Sequence, residues 1–233
     1  MTTKKIVMIG SCAAIIAFIA FILYQRKEPL TQKIYTTQEV TSVINDVYTD
    51  LSGFTIEEQE RKFIEDAGGN ATYGEIIPES VAQLMDYFKP TSTDVFFDLG
   101  SGIGKVCVQV ALTTPAKAVG VELSSTRYAM AQQARQALIE KNILIIPSKL
   151  EFKNENILDA DLSQGTIFFL CSTCFSDDLM SALTKKIANN GKKVQVATLR
   201  QLPDTGDFTL QKTFHLQMTW SDSSPVYIYK SVQ

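Results

Sequence analysis

The sequence predicts an α/β fold: a doubly wound, seven-stranded, mostly parallel sheet with a closing antiparallel hairpin, preceded by a small helical lobe and an N-terminal transmembrane helix. Three observations predict it. Residues 6–24 (IVMIGSCAAIIAFIAFILY) run without a charge. Residues 34–88 carry apolar positions at helical spacing. From residue 93 onward, short apolar runs alternate with helical stretches, the rhythm of strand–helix–strand units.

The first run, at about 1.5 Å per residue, reaches roughly 28 Å, close to the hydrocarbon core of a bilayer. It reads as an uncleaved single-pass anchor. A cleaved signal peptide is its rival, since Ala17 and Ala20 end a small-x-small pattern, although such apolar stretches are normally about 7–15 residues. Lys4 and Lys5 before it balance Arg26 and Lys27 after it, so the positive-inside rule gives no orientation. Residues 25–33 (QRKEPLTQK) are a polar linker.

In the predicted lobe, Val40, Val43, Ile44, Val47, Tyr48 and Leu51 recur at three and four, one helix face. Ser52-Gly53 ends it. Thr55 is expected to cap the next helix, with Glu58 completing a capping box. Residues 66–70 (DAGGN) are a loop. Another helix starts at Glu79-Ser80 and stops at Pro90. Strands are then expected at 94–99 (DVFFDL), 118–123 (AVGVEL), 150–152, 166–170 (TIFFL) and 193–199 (KVQVATL), with helices at 104–112, 125–141 and 177–189. Two further strands near 210–216 and 226–232 have no helix between them and form the hairpin.

Three regions follow: 1–33, anchor and linker; 34–89, an acidic helical lobe; and 90–233, the sheet domain. The chain's net charge of −3 hides their difference. Residues 34–89 hold eleven acidic side chains against three basic, a net of −8. No bulk basic field exists, so direct nucleic-acid binding is not expected. Four Cys in 233 residues exclude a disulfide-built scaffold.

The chemistry-bearing motif is Asp98-Leu99-Gly100-Ser101-Gly102-Ile103-Gly104, between the first sheet strand and its helix. Its glycines let the backbone turn tightly and approach a ligand closely. Glu122 ends the next strand, where a carboxylate can accept hydrogen bonds from both hydroxyls of a ribose; a surface Glu favoured by the helix dipole is the alternative. After the third strand, Asn156 and Ile157 read, on their own, as part of an ordinary turn. Cys171 and Cys174 form a Cys-x-x-Cys pair that reads as small residues of a post-strand loop, with redox or metal roles as alternatives. No metal site is expected.

The Gly-x-Gly-x-Gly loop with its preceding acid resembles class I S-adenosylmethionine-dependent methyltransferases. Together with Tyr73-Gly74-Glu75 and with Trp220 followed by Pro225-Val226-Tyr227-Ile228-Tyr229, it resembles the non-SET histone-lysine methyltransferase family, the disruptor-of-telomeric-silencing type, from about Thr72 to Lys230. The resemblance implies S-adenosylmethionine as cofactor. It implies cofactor-binding roles for Asp98, Gly100, Gly102, Gly104, Glu122, Asn156 and Ile157, and a loop of Tyr73, Gly74 and Glu75 over the methionine end. Where that family carries paired Asn and Phe-Ala-Phe, this chain has Cys171-Ser172-Thr173-Cys174-Phe175, so the acceptor side differs. Ser172 and Thr173 are the candidates there for orienting an amine, and Phe175 and Tyr227 for an aromatic channel that desolvates it, with Trp220 and Tyr229 as further aromatics. The expected function is methyl transfer to a protein lysine at a membrane, the catalytic domain facing cytoplasm or an organelle matrix. A protein substrate, Lys-rich as the acidic lobe suggests, is the expected partner. A small-molecule or lipid methyltransferase and an inactive cofactor-binding module are the alternatives.

Overall fold

Thr36 opens the first helix with a capping box. Its hydroxyl accepts the Glu39 N–H at 3.2 Å, and its own N–H donates to Glu39 Oε2 at 2.8 Å. The computed structural model describes residues 30–232, and Gln32–Gln233 is a single compact unit. α1 (Thr37–Val47) buries Val40 and Ile44. α2 (Glu58–Asp66) buries only Ile64. Its N-cap is Glu57, without a side-chain capping bond, so the cap expected at Thr55 is corrected: Glu58 already lies inside the helix. α3 (Pro78–Phe88) has Pro at its first turn, where no N–H is needed, and ends at Lys89 in the left-handed conformation.

The sheet contains β1 (Val95–Leu99), β2 (Lys117–Glu122), β3 (Leu150–Asn154), β4 (Ile167–Leu170), β5 (Gln195–Thr198), β6 (Phe208–Met218) and β7 (Ser221–Ser231). Their order is β3-β2-β1-β4-β5-β7-β6. The first five pair in parallel, and β7 runs antiparallel to both β5 and β6. α4 (Lys105–Thr113), α5 (Ser125–Glu140) and α6 (Asp177–Ala188) connect the parallel strands. Apolar side chains of β1 and β4 alternate between two cores: Phe96 and Phe169 join α1, α3, α4 and α5, while Phe97 and Phe168 stack against each other in the core beside α6.

The hairpin strands are longer than the sequence implies, eleven residues each. Most of β6 is exposed, yet it alternates apolar Phe208, Leu210, Phe214, Leu216 and Met218 with polar residues, broken only at Lys212; its ends at 208–209 and 217–218 fall outside the expected strand. Pro225 lies within β7, opposite His215, beyond the stretch that pairs with β5. With a partner on one side only, a missing N–H is tolerated there.

The predicted fold class is corrected in one part. Among the described residues no helix is long and apolar enough to cross a membrane. The longest, α5, has 16 residues and carries Arg127, Arg135 and Glu140; at about 1.5 Å per residue it falls short of a bilayer core of about 30 Å. The segment 6–24 expected as an anchor lies outside the described residues.

Candidate active site

The glycine loop is shaped by hydrogen bonds to the neighbouring strand. The N–H groups of Gly100 and Ser101 both donate to Val121 O, at 2.9 and 3.1 Å, which turns the chain at the top of β1. Gly100, Gly102 and Gly104 all have positive φ, at 86°, 55° and 87°. Their neighbours explain two of them further. A Cβ on Gly102 would fall 2.7 Å from the Tyr73 ring, and one on Gly104 would fall 2.4 Å from Phe152. Gly104 therefore serves helix–strand packing, and it lies outside the cavity lining.

That cavity, of about 340 Å³, opens above the C-terminal ends of β1, β2 and β4. Ligands of open α/β sheets bind in this position, and the volume is in the range of small-molecule sites. Tyr73, Gly74, Glu75, Asp98, Gly100 and Gly102 line it. So do Glu122, Asn156, Ile157, Thr173 and Phe175.

Glu122 is 7% exposed, and its two oxygens each take one backbone N–H: Gly102 at 2.7 Å and Ser124 at 2.8 Å. Burial raises its carboxyl, against those two bonds, which lower it. One acceptor site per oxygen remains. Asn156 Oδ1 closes a turn onto the Leu158 N–H at 2.9 Å; its side-chain NH2 makes no protein bond among the described residues. Ser101 Oγ is buried without a hydrogen-bond partner among them.

Asp98, 2% exposed, is pushed up to about 8, by burial first and by the Glu122 charge second. An ordinary Asp titrates near 3.8. Between about pH 4 and pH 8 the folded chain therefore holds a proton that the unfolded chain has released, and stability falls with rising pH by up to about 1.4 kcal/mol per unit. Asp98→Asn, neutral throughout, is expected to flatten this part of the slope in urea unfolding between about pH 5 and pH 8. An unchanged slope would contradict the buried acid.

The Tyr73-Gly74-Glu75 loop is held from three sides. The Tyr73 hydroxyl donates to Glu75 Oε1 at 2.7 Å. Burial, and then the Glu75 charge, push that hydroxyl well above its ordinary value, so it stays a donor. Lys105 Nζ meets Glu75 Oε2 at 2.9 Å. The hairpin tip clamps the same loop: Thr219 N–H donates to Glu75 O at 2.8 Å, and Glu75 N–H to Thr219 Oγ1 at 3.0 Å. Trp220 presses on Gly74, where a Cβ would fall 2.4 Å from the indole. From α5, buried Arg127 donates to Gly53 O at 3.0 Å and Ala71 O at 2.7 Å, with its guanidinium 4.9 Å from the Tyr73 ring centroid.

After β4, a 3₁₀ turn (Ser172–Cys174) divides the expected acceptor residues. Thr173, Cys174 and Phe175 line the cavity, as does Cys171. Ser172 turns away: it is fully buried, shares a 2.8 Å hydrogen bond with Thr198 Oγ1 and accepts the Arg200 N–H at 3.0 Å. Tyr227 also lies outside the lining; it pairs with Thr198 and Thr213 and packs on the core beside α6. Both were expected at the acceptor side, and strand parity and the turn direct them elsewhere. Burial, then the Asp98 charge, push the Cys171 thiol up to about 12, which keeps it a thiol at neutral pH. Lys105 and Arg127 escaped the sequence reading. The one faint signal is that Lys105 opens the helix directly after the glycine loop.

The groups present fit S-adenosylmethionine: a twin-acceptor carboxylate for a ribose, an unpaired amide NH2 beside buried Ile157, an orphaned serine hydroxyl, and an acid–base pair under an aromatic loop. Fold and cavity together define the class I methyltransferase architecture. A family model described as "Histone methylation protein DOT1" matches residues 58–219, and the chain belongs to that family. Among curated proteins it is similar to the H3 lysine-79-specific histone-lysine N-methyltransferase of Dictyostelium discoideum, with 30% identity over 132 residues, 52% of this chain and 7% of that one. It is likewise similar to the one of Caenorhabditis elegans, with 28% identity over 178 residues, 65% of this chain and 19% of that one. The chain thus spans less than a fifth of either relative. Among solved structures, it shares its fold with the magnesium protoporphyrin IX methyltransferase of Synechocystis PCC 6803 with bound SAM (TM-score 0.50, 12% identity, 86% of this chain and 100% of that one). It also shares it with TrmN from Thermus thermophilus (TM-score 0.50, 15% identity, 65% and 48%).

Proposed function

We propose that the chain is an S-adenosylmethionine-dependent methyltransferase acting on a lysine of a protein substrate. The observation that carries this reading is the convergence of the glycine loop, Glu122 and the Tyr73-Gly74-Glu75 loop on one cavity, in a chain of the DOT1 family. The curated relatives named above methylate a histone lysine by their names.

The bound cofactor supplies the electrophilic methyl group, so the chain's residues chiefly position and exclude water. Glu122, with one acceptor site left on each oxygen, would hold the ribose hydroxyls, and Asn156 and Ile157 would hold the base. Glu75 would present its carboxylate toward the positively charged end. A lysine side chain has a reference pKa of about 10.4 and must lose its proton before it attacks. Phe175 and Trp220, both in the lining, strip water from it, and a desolvated amine favours its neutral form. Thr173 offers a hydroxyl on the same rim. On α2, which lends Ile64 to the lining, exposed Glu57, Glu58, Glu65 and Asp66 form a negative surface suited to a basic segment.

Calorimetric titration of the full chain with S-adenosylhomocysteine tests the reading. One site per chain is expected; a folded chain with no binding overturns it.

A further inference from the structure

We infer that Arg200 is a positioning residue for methyl transfer: it holds both ends of the turn after β4 and so sets Phe175 at the acceptor side of the cavity. The inference rests on the methyltransferase reading above and adds to it a residue outside the cavity.

Arg200 lies two residues past the end of β5 and does not line the cavity. Its backbone N–H donates to Ser172 Oγ at 3.0 Å, and its guanidinium donates to Phe175 O and to the Asp177 carboxylate. One residue therefore grips the first residue of the 3₁₀ turn (Ser172–Cys174) and the residue that follows the turn. At the first end, Ser172 is also tied to Thr198 Oγ1 at 2.8 Å, and both side chains are fully buried. At the second end, the Phe175 N–H already closes the turn onto Ser172 O at 3.1 Å. Its carbonyl is the other backbone handle, and the guanidinium takes it.

The consequence lies on the cavity side. The half-buried Phe175 ring rests on the glycine loop, where a Cβ on Gly100 would fall 3.4 Å from it. Beyond it, the Ser176 N–H donates to Gly68 O at 2.9 Å, and Ser176 Oγ accepts the Leu179 N–H at 3.2 Å to cap α6. The chain on both sides of Phe175 is thus fixed by other bonds, and the guanidinium bears on the Phe175 peptide itself. Asp177 is 89% exposed, so its ion pair with Arg200 contributes little; the weight lies on the bond to the Phe175 carbonyl. A ring excludes water from an amine only at contact distance. A displacement of about 1 Å admits water, which restores the charged amine and costs turnover up to about 100-fold.

The test is methylation kinetics of the full chain with a lysine-rich histone protein as acceptor, beside calorimetry with S-adenosylhomocysteine. Arg200→Met is expected to lower kcat about 10- to 100-fold near neutral pH. S-adenosylhomocysteine affinity should stay within about threefold, which also reports intact folding. In this variant the bound lysine titrates closer to its free value of about 10.4, so the kcat deficit should shrink as the pH is raised to about 9.5. Phe175→Leu should show the same kind of loss, and adding Arg200→Met to it should cost no more than about twofold further. Asp177→Asn should stay within about twofold of the unaltered chain. Any of four results overturns the positioning role and leaves the methyltransferase reading intact: losses that multiply in the double variant, a deficit constant with pH, a loss in Asp177→Asn as large as that in Arg200→Met, or S-adenosylhomocysteine binding weakened as much as turnover. An unaltered chain that labels no protein overturns that reading and this one with it.

Discussion

Glu122→Gln is expected to weaken S-adenosylhomocysteine binding by about 100-fold or more and to destabilise the ligand-free chain by about 1–3 kcal/mol. The carboxylate joins the two loops that form the cavity floor, with one oxygen on Gly102 N–H and the other on Ser124 N–H. An amide has one acceptor oxygen. Its NH2 would face a backbone donor, leaving a buried N–H unpaired and the glycine loop untied at that point. The ribose would also lose one of two charged acceptors. Calorimetry reads the first effect and urea unfolding the second. Affinity within about twofold of the unaltered chain would show that Glu122 does not meet the ligand.

Gly102→Ala is expected to destabilise the chain by about 2–4 kcal/mol and to abolish cofactor binding. Two costs coincide there: a φ of 55°, which side chains other than Gly adopt reluctantly, and a Tyr73 ring 2.7 Å from the new Cβ. Tyr73 has little room to shift, because Gly53 also lies against its ring, where a Cβ would fall 2.4 Å away. The loop carrying Glu75 would have to lift. Gly191→Ala separates the two costs: its φ is 79° but nothing lies within 4 Å of its Cβ, so it should lose only the backbone share, about 1–2 kcal/mol, with binding intact. Equal effects at both positions would show that the Tyr73 contact is unimportant.

The parts that could be read from the sequence are those where burial leaves a pattern. β1, β2 and β4 lie between two cores, so they appear as unbroken apolar runs, and the glycine loop and Glu122 are located by where those runs end. The hairpin is expected too short: β6 extends two residues beyond 210–216 at each end, and Pro225, inside β7, looks like a strand boundary. Within the site, position along the chain did not disclose direction. Ser172 and Thr173 are adjacent, yet the 3₁₀ turn sends one under β5 and the other to the cavity. Tyr227 follows strand parity into the core beside α6. Lys105 and Glu75 lie 30 residues apart, and Arg127 holds carbonyls 74 and 56 residues away. No local spacing encodes such contacts. They exist only once the hairpin tip, the Tyr73-Gly74-Glu75 loop and the helix after the glycine loop have come together.

The most direct test of the central claim is incubation of the full chain with methyl-labelled S-adenosylmethionine, a lysine-rich histone protein and lipid vesicles, followed by separation of protein from lipid. Label is expected in the protein, on lysine, and is expected to be lost with Glu122→Gln. Label confined to the lipid, or none in either fraction from a chain that binds S-adenosylhomocysteine, would contradict protein-lysine methylation.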